Sequence, residues 1–366
     1  MTKDTLYVGL DTDKRHIDVA VAEEPPHGET RYWGKIANDP AAVDRLVKRL
    51  QQGRRLVVCY EAGPCGYGLY RQLSGKQEVT CAVVAPSMTP RRAGVRVKTN
   101  RRDALTLAKL LRAQELTAIW VPDTAHEAMR DLVRARANAV EDVTRSRQRI
   151  GSFVLRQGLR YIGKPWTKKH RTWLAGLTFE PAEQRLMFKE LLEALVSTEA
   201  CRDRLTDHIR ELMGSWSLSW LVEAVQALRG YKLINAATVV AEIGDPRRFT
   251  NPRQAMGHVG LGVSEYSTGD RIVRGSITKT GNKRARKALI EAAWTYTRPA
   301  KGPPATAVQQ SAAVRAIADK ARHRLSRRYR WLIAHGKPAT VAVTAVAREA
   351  VGFIWAIAHA AAPPQS

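Results

Sequence analysis

The feature that most limits the fold is a change of period near residue 120. Before it, short apolar runs alternate with amphipathic stretches. Residues 6–10 form an apolar run ending at Asp11, and 17–22 follow after a gap that suits a hairpin. Residues 56–60 end at Glu61, and 79–84 complete the set. Between these runs, 41–50, 66–73 and 103–114 carry helical spacing, the last with Ala104, Leu107, Ala108 and Leu111 on one face. Strands alternating with helices predict an α/β domain over residues 1–120.

After that point the strand signal stops. Val133, Val140, Val143, Ile150 and Val154 fall at coiled-coil spacing. Leu191, Leu195, Thr198, Arg202, Leu205, Ile209 and Leu212 then step alternately by four and three. The region 121–219 therefore reads as a helical, coiled-coil segment, either an antiparallel hairpin within one chain or a contact between subunits. Between the two seams, 166–173 is basic and aromatic. From 220 to 366 the chain reads as mainly α. Helices at 221–228 and 236–243 are joined by Arg229-Gly230-Tyr231, which turns the chain or sets backbone N–H groups against a phosphate. A glycine-rich stretch at 257–281 and helices at 312–334 and 339–358 follow.

Charge decides the class of partner. Sixty Lys and Arg against 34 Asp and Glu give a net charge of +26. That excess disfavours the metabolism of small neutral molecules and favours a polyanion. A membrane is not expected, because the longest apolar stretch, 350–362, is too short to span a bilayer and no secretory signal opens the chain. The four cysteines form no CxxC pair, which fits a reducing cytoplasm and no structural zinc. The basic residues cluster. There are seven in 271–287 with no acid, eight in 315–337 against Asp319, and seven in 91–109 against Asp103. One such run is ordinarily a solvated face; three give the track that phosphate neutralisation requires.

Against this background the acids stand out. Asp11 and Glu61 end strands, and Asp103 opens a helix inside a basic run. Carboxylates brought together there would repel one another unless cations lay between them. Mg²⁺ or Mn²⁺ suits an all-oxygen site, and such ions can clamp the oxygens of a phosphodiester.

These residues also carry a resemblance. Tyr7-Val8-Gly9-Leu10-Asp11 with Lys14, then Tyr60-Glu61-Ala62-Gly63, and Lys98-Thr99-Asn100-Arg101-Arg102-Asp103-Ala104 form one set. Gly260-Leu261, Ser264-Glu265-Tyr266-Ser267-Thr268-Gly269 and Ile277-Thr278-Lys279-Thr280-Gly281-Asn282 form another. Together they resemble transposases of the insertion sequence 110 family over residues 5–358, nearly the whole chain.

The resemblance implies a RuvC-like (RNase H-like) N-terminal domain with an Asp-Glu-Asp-Asp cluster, a coiled-coil segment, and a C-terminal transposase domain with a nucleophilic serine. Asp11, Glu61 and Asp103 match three of the acids; the remaining position holds Asn100, whose oxygen can ligate a cation but brings no charge. Asp13 stands where the family often has His, and the turn expected there argues against its replacing the missing charge. The serine maps to Ser267, beside Thr268. The family further implies a homo-oligomer, dimer or tetramer, and a non-coding guide RNA from the element that selects donor and target DNA. The expected activity is that of a DNA recombinase of a mobile element, in the bacterial cytoplasm with the nucleoid. The rival readings are a RuvC-like junction nuclease using metal-activated water, and a catalytically impaired nucleic-acid-binding relative.

Overall fold

The computed structural model describes residues 4–24, 28–90, 99–299 and 302–361. The chain forms two compact units, one up to Val121 and one from Pro122 onward. In the first, β1 (Thr5–Thr12), β2 (His16–Glu23), β3 (Thr30–Ala37), β4 (Arg55–Glu61) and β5 (Val79–Val84) make one sheet in the order β3-β2-β1-β4-β5. The β1–β2 and β2–β3 pairs are antiparallel, and β1–β4 and β4–β5 are parallel. The expected hairpin is present. Asp13 serves its turn, its Oδ1 accepting from the backbone N–H of Arg15 at 2.7 Å and of His16 at 2.8 Å. Helices α1 (Pro40–Gln51) and α2 (Gly68–Ser74) lie between strands, and α3 (Asn100–Arg112) follows β5.

The two faces of this sheet carry different cores. Leu6, Val8 and Leu10 of β1 pack with Val43, Leu46, Val47 and Leu50 of α1. The other face is covered by α3. There Ala20 and Ala22 of β2 meet Ala104 and Ala108, and Cys59 of β4 meets Leu107. Small residues let the helix approach closely, and Gly9 is the extreme case. A Cβ on Gly9 would lie 2.4 Å from the Ala104 carbonyl oxygen and 2.4 Å from the Ala108 nitrogen. Thr99 caps α3, its hydroxyl accepting from the Arg102 N–H at 3.3 Å.

The second unit is mostly helical. It contains α4 (Thr124–Arg156), α5 (Lys168–Ala175), α6 (Ala182–Leu212), α7 (Ser219–Val225), α8 (Leu233–Ile243) and α9 (Pro252–His258). A hairpin of β6 (Val263–Glu265) and β7 (Arg274–Ile277) follows, then α10 (Lys283–Ala293), α11 (Ala305–Val308), α12 (Ala312–Ala334) and α13 (Ala339–Ala360).

The long helices α4 and α6 pack on each other within the chain. Val143, Ile150, Phe153 and Val154 of α4 share a core with Phe188 and Leu195 of α6. The seams are not continuous, since Val140 and Leu212 are exposed. The aromatic segment closes against this core: Trp166 and Trp173 pack on it, and Trp166 lies edge-on to His170. By length and composition α13 could cross a membrane. It is longer than the 350–362 stretch suggested, and Val343, Val346, Ala350, Val351 and Ile354 are buried in the core of the unit.

Gly9→Ala should lower unfolding stability by about 1–3 kcal/mol through overpacking against the α3 backbone. Urea unfolding of the purified chain checks this; an unchanged midpoint would mean that α3 shifts freely.

Candidate active site

Two sets of residues drew attention in the sequence, one in each unit. In the first unit, Asp11 lies two residues beyond Gly9 and Glu61 two beyond Cys59. Gly9 and Cys59 are register partners, and both face α3; the Cys59 Sγ lies 3.8 Å from the Leu107 carbonyl oxygen. Alternation therefore sets Asp11 and Glu61 on that same face, at the C-terminal ends of adjoining strands. Asp103 lies one turn before Leu107 on α3, beside Ala104. Asn100, the first residue of α3, is exposed. Lys98 and the basic residues of 91–98 lie outside the described residues.

Asp18 is a fourth acid at this corner that the sequence reading passed over. It is the register partner of Asp11 across the β1–β2 ladder and is only 3% exposed. The Tyr32 hydroxyl donates to its Oδ1 at 2.6 Å, while Oδ2 makes no hydrogen bond and lies 3.8 Å from the Lys35 Nζ. Burial, together with the Asp18 charge, pushes the Tyr32 hydroxyl up to about 12. The Arg101 guanidinium lies over the Tyr32 ring, 4.9 Å from its centre. The signal in the sequence was a lone carboxylate inside the otherwise apolar 17–22 run.

Among the described residues, no group of three or more Asp, Glu, His or Cys side chains stands close enough to hold a metal ion. The donor chemistry, rather than the distances, suits one. Oxygen donors sit at adjoining positions on one face, and Asp18 brings a buried oxygen with no hydrogen bond.

In the second unit, Ser267 lies in the turn region of the β6–β7 hairpin. The Tyr266 N–H bonds to the Val273 carbonyl at 2.8 Å, and Thr268 and Arg271 bond to each other through their backbones across Gly269, whose φ is +57°. Ser267 and Thr268 are exposed, as are Tyr266 at 77% and Ile272 at 65%. The Ser267 hydroxyl donates to the Glu265 Oε1 at 2.7 Å.

The base of the hairpin is held by backbone. Thr278 N–H bonds to the Gly262 carbonyl at 2.8 Å, Lys279 to Gly260 at 3.1 Å, and Asn282 to His258 at 3.2 Å. A Cβ at Gly260 would lie 1.9 Å from the Thr280 oxygen, and one at Gly281 would lie 2.1 Å from the His258 oxygen. The glycines of the 257–281 stretch therefore permit two loops to touch.

Asn282 fastens that base to the core. Its Oδ1 caps α10, accepting from the Arg284 and Ala285 N–H groups at 3.0 Å each. Its Nδ2 donates to the Glu242 side chain at 2.8 Å and to the Glu242 carbonyl at 3.0 Å. Glu242, 2% exposed, also receives a two-pronged bond from Arg134 of α4, at 2.7 and 2.8 Å. Burial pushes the Glu242 carboxyl up; the Arg134 and Asn282 hydrogen bonds and the Arg134 and Arg130 charges outweigh it, leaving the group below the usual glutamate range.

The basic runs are only partly available to a polyanion. Arg286 donates to the Val259 carbonyl at 2.8 Å, and Lys287 lies 3.6 Å from Glu141. In α12, Arg322 pairs with Asp319, and Arg324 and Arg328 pair with Glu349. The Arg229-Gly230-Tyr231 turn is packed: a Cβ at Gly230 would lie 2.6 Å from the Ala292 oxygen, and Tyr231 is buried.

Asn282→Ala removes a cap and a charge-assisted bond and should cost about 2–3 kcal/mol. Asn282→Asp keeps the cap but sets a second carboxylate against buried Glu242, so it should also destabilise at neutral pH. Thermal unfolding measures both; an Asp variant as stable as the parent would show that Glu242 does not sense this position.

Comparison with known proteins gives these two sets a common context. A DEDD transposase model of the IS110 group matches residues 8–157, and a model described as the IS116/IS110/IS902 transposase family matches 222–310. The first match implies a RuvC-like fold for the sheet unit and suggests divalent-metal use. The chain is 46% identical over 360 residues, 97% of its own length and 89% of the relative's, to y4qE of Sinorhizobium fredii, which carries a transposase name. It is 29% identical over 346 residues to the transposase for insertion sequence element IS1533 of Leptospira borgpetersenii, covering 90% of this chain and 97% of that one. It is 23% identical over 309 residues to the transposase for IS1111A of Coxiella burnetii, covering 82% and 80%. The chain belongs to the IS110 family of transposases, enzymes that cut and rejoin DNA to move insertion elements.

Proposed function

We propose that this transposase cuts DNA through Ser267, working with a Mg²⁺ or Mn²⁺ site at Asp11, Glu61 and Asp103, with the Asn100 oxygen as a fourth ligand. The observation that carries the reading is the placement of Ser267. Its hydroxyl stands exposed on a hairpin whose base is fixed by three backbone bonds, so it is both accessible and held. The register of Asp11 and the adjoining end of β4 support the metal site. The bound ion would supply charge neutralisation at the oxygens of the reacting phosphate.

The chain's own residues do the rest. Ser267 attacks phosphorus and becomes linked to one DNA end, conserving the energy of the broken ester. Arg and Lys of the basic runs hold the phosphate backbone without reading sequence. In this reading the chain works in three parts: a RuvC-like catalytic domain at 1–120, a helical coiled-coil segment at 121–219, and a C-terminal domain at 220–366 that carries the serine. Its partners are donor and target DNA and an element-encoded guide RNA. Its working form is a homo-oligomer, dimer or tetramer, acting at the nucleoid.

Denaturing electrophoresis with end-labelled DNA tests the chemistry. Ser267→Ala should abolish a protease-sensitive slow band, while Thr268→Ala should keep it. Asp11→Ala, Glu61→Ala and Asp103→Ala should each cut strand cleavage by on the order of a thousandfold or more and leave DNA binding intact. Cleavage without such a band in any variant would favour metal-activated water instead.

A further inference from the structure

A serine hydroxyl needs a base to become a good nucleophile. The hairpin supplies one acceptor in direct contact. Glu265, the last residue of β6, accepts a hydrogen bond from the Ser267 hydroxyl on Oε1 at 2.7 Å. Across the ladder Glu265 is the register partner of Arg274, the first residue of β7, whose Nε lies 3.8 Å from Oε2. The Glu265 and Arg274 side chains are 50% and 70% exposed. The three form a nucleophile, an acceptor and a cation that steadies the acceptor, all open to an approaching strand. With its proton directed at Glu265, the Ser267 Oγ keeps its lone pairs turned away from the carboxylate.

The alternative is a local bond that braces the turn. Backbone bonds from Tyr266 to Val273 and between Thr268 and Arg271 already brace it on both sides of Ser267. The side-chain bond comes in addition to them.

We infer that Glu265 is the general base of the cutting step and that Arg274 is its positioning residue. The inference rests on Ser267 being the attacking group. In the forward step the Ser267 O–H bond breaks and its proton passes to Glu265, while an Oγ–P bond forms. The phosphorus bond to one strand oxygen breaks with its electron pair, and that oxygen takes a proton from water to leave a free hydroxyl end. In the rejoining step a hydroxyl end attacks the serine-linked phosphorus and loses its proton to water. The Oγ–P bond then breaks, and Glu265 returns its proton to Oγ. One phosphate ester replaces another in each step, so no outside energy source enters.

The test is the single-turnover rate of covalent protein–DNA formation, alongside DNA affinity and melting temperature, for the parent, S267A, E265Q, E265D and R274A. E265Q keeps the shape of the side chain and a polar contact to Ser267. It should slow adduct formation by about 10²–10⁴-fold, the usual share of a general base, with DNA affinity and melting temperature unchanged. E265D should recover part of the rate, and R274A should lose less than E265Q. An unchanged E265Q rate overturns the assignment, and so does a slowed E265Q whose loss E265D does not in part restore. An S267A protein that still forms the adduct overturns the nucleophile reading beneath it, so the two failures are told apart.

Discussion

The serine-bearing unit depends on one buried charge. Glu242 sits at the end of α8 with almost no access to water, and an unpaired carboxylate there would be far too costly to keep ionised. Arg134 and Asn282 make it affordable, and in doing so they fix three elements to one point. Arg134 ties in α4, Asn282 caps α10, and the backbone before Asn282 forms the base of the Ser267 hairpin. Removing one partner of such a pair typically costs about 3–5 kcal/mol because the other charge remains buried. The same bonds that stabilise the core therefore decide where the hairpin stands. The hairpin itself has only three- and four-residue strands and exposed side chains, too little to hold its shape alone.

In the sheet unit a missing side chain plays the comparable part. Gly9 lets the backbone of α3 rest on the β1 backbone, and the alanines around it keep that approach open. The approach brings the first turn of α3, with Asp103, to the face that carries Asp11 and Glu61. Asp18 stands at the same corner. It is a buried carboxylate across the ladder from Asp11, and it accepts from the Tyr32 hydroxyl and pairs with the Lys35 ammonium at 3.8 Å. Oxygen donors gathered on one face in this way are the donor type that a divalent ion such as Mg²⁺ takes.

What the sequence made legible followed from burial. The strands at 6–10, 17–22, 56–60 and 79–84 are buried on at least one face and read clearly, as did the helical face of α3. β3 was missed because it is an edge strand with a register shift, and its Arg31, Trp33, Gly34 and Lys35 show no clean alternation. β6 and β7 were hidden in a glycine-rich stretch because they are short and mostly exposed. α10 was read only as a basic run, although Ala285, Ala288, Leu289 and Ala292 mark its buried face. Within the same basic run, Arg286 and Lys287 also make contacts inside the protein that spacing does not show. The candidate residues Asp11, Glu61, Asp103 and Ser267 were legible from strand ends and motif. Asp18, Glu242 and the role of Asn282 depended on partners more than a dozen residues away, which spacing along the chain does not reveal.

The central claim is that a DNA phosphate becomes attached to the hydroxyl of Ser267. Peptide mass spectrometry after protease and nuclease digestion of the trapped complex tests it most directly. The account predicts a nucleotide mass on the peptide spanning the hairpin, with fragmentation placing it on Ser267. A nucleotide mapped to Thr268 or to any other residue would contradict it, as would cleaved DNA with no nucleotide left on the protein.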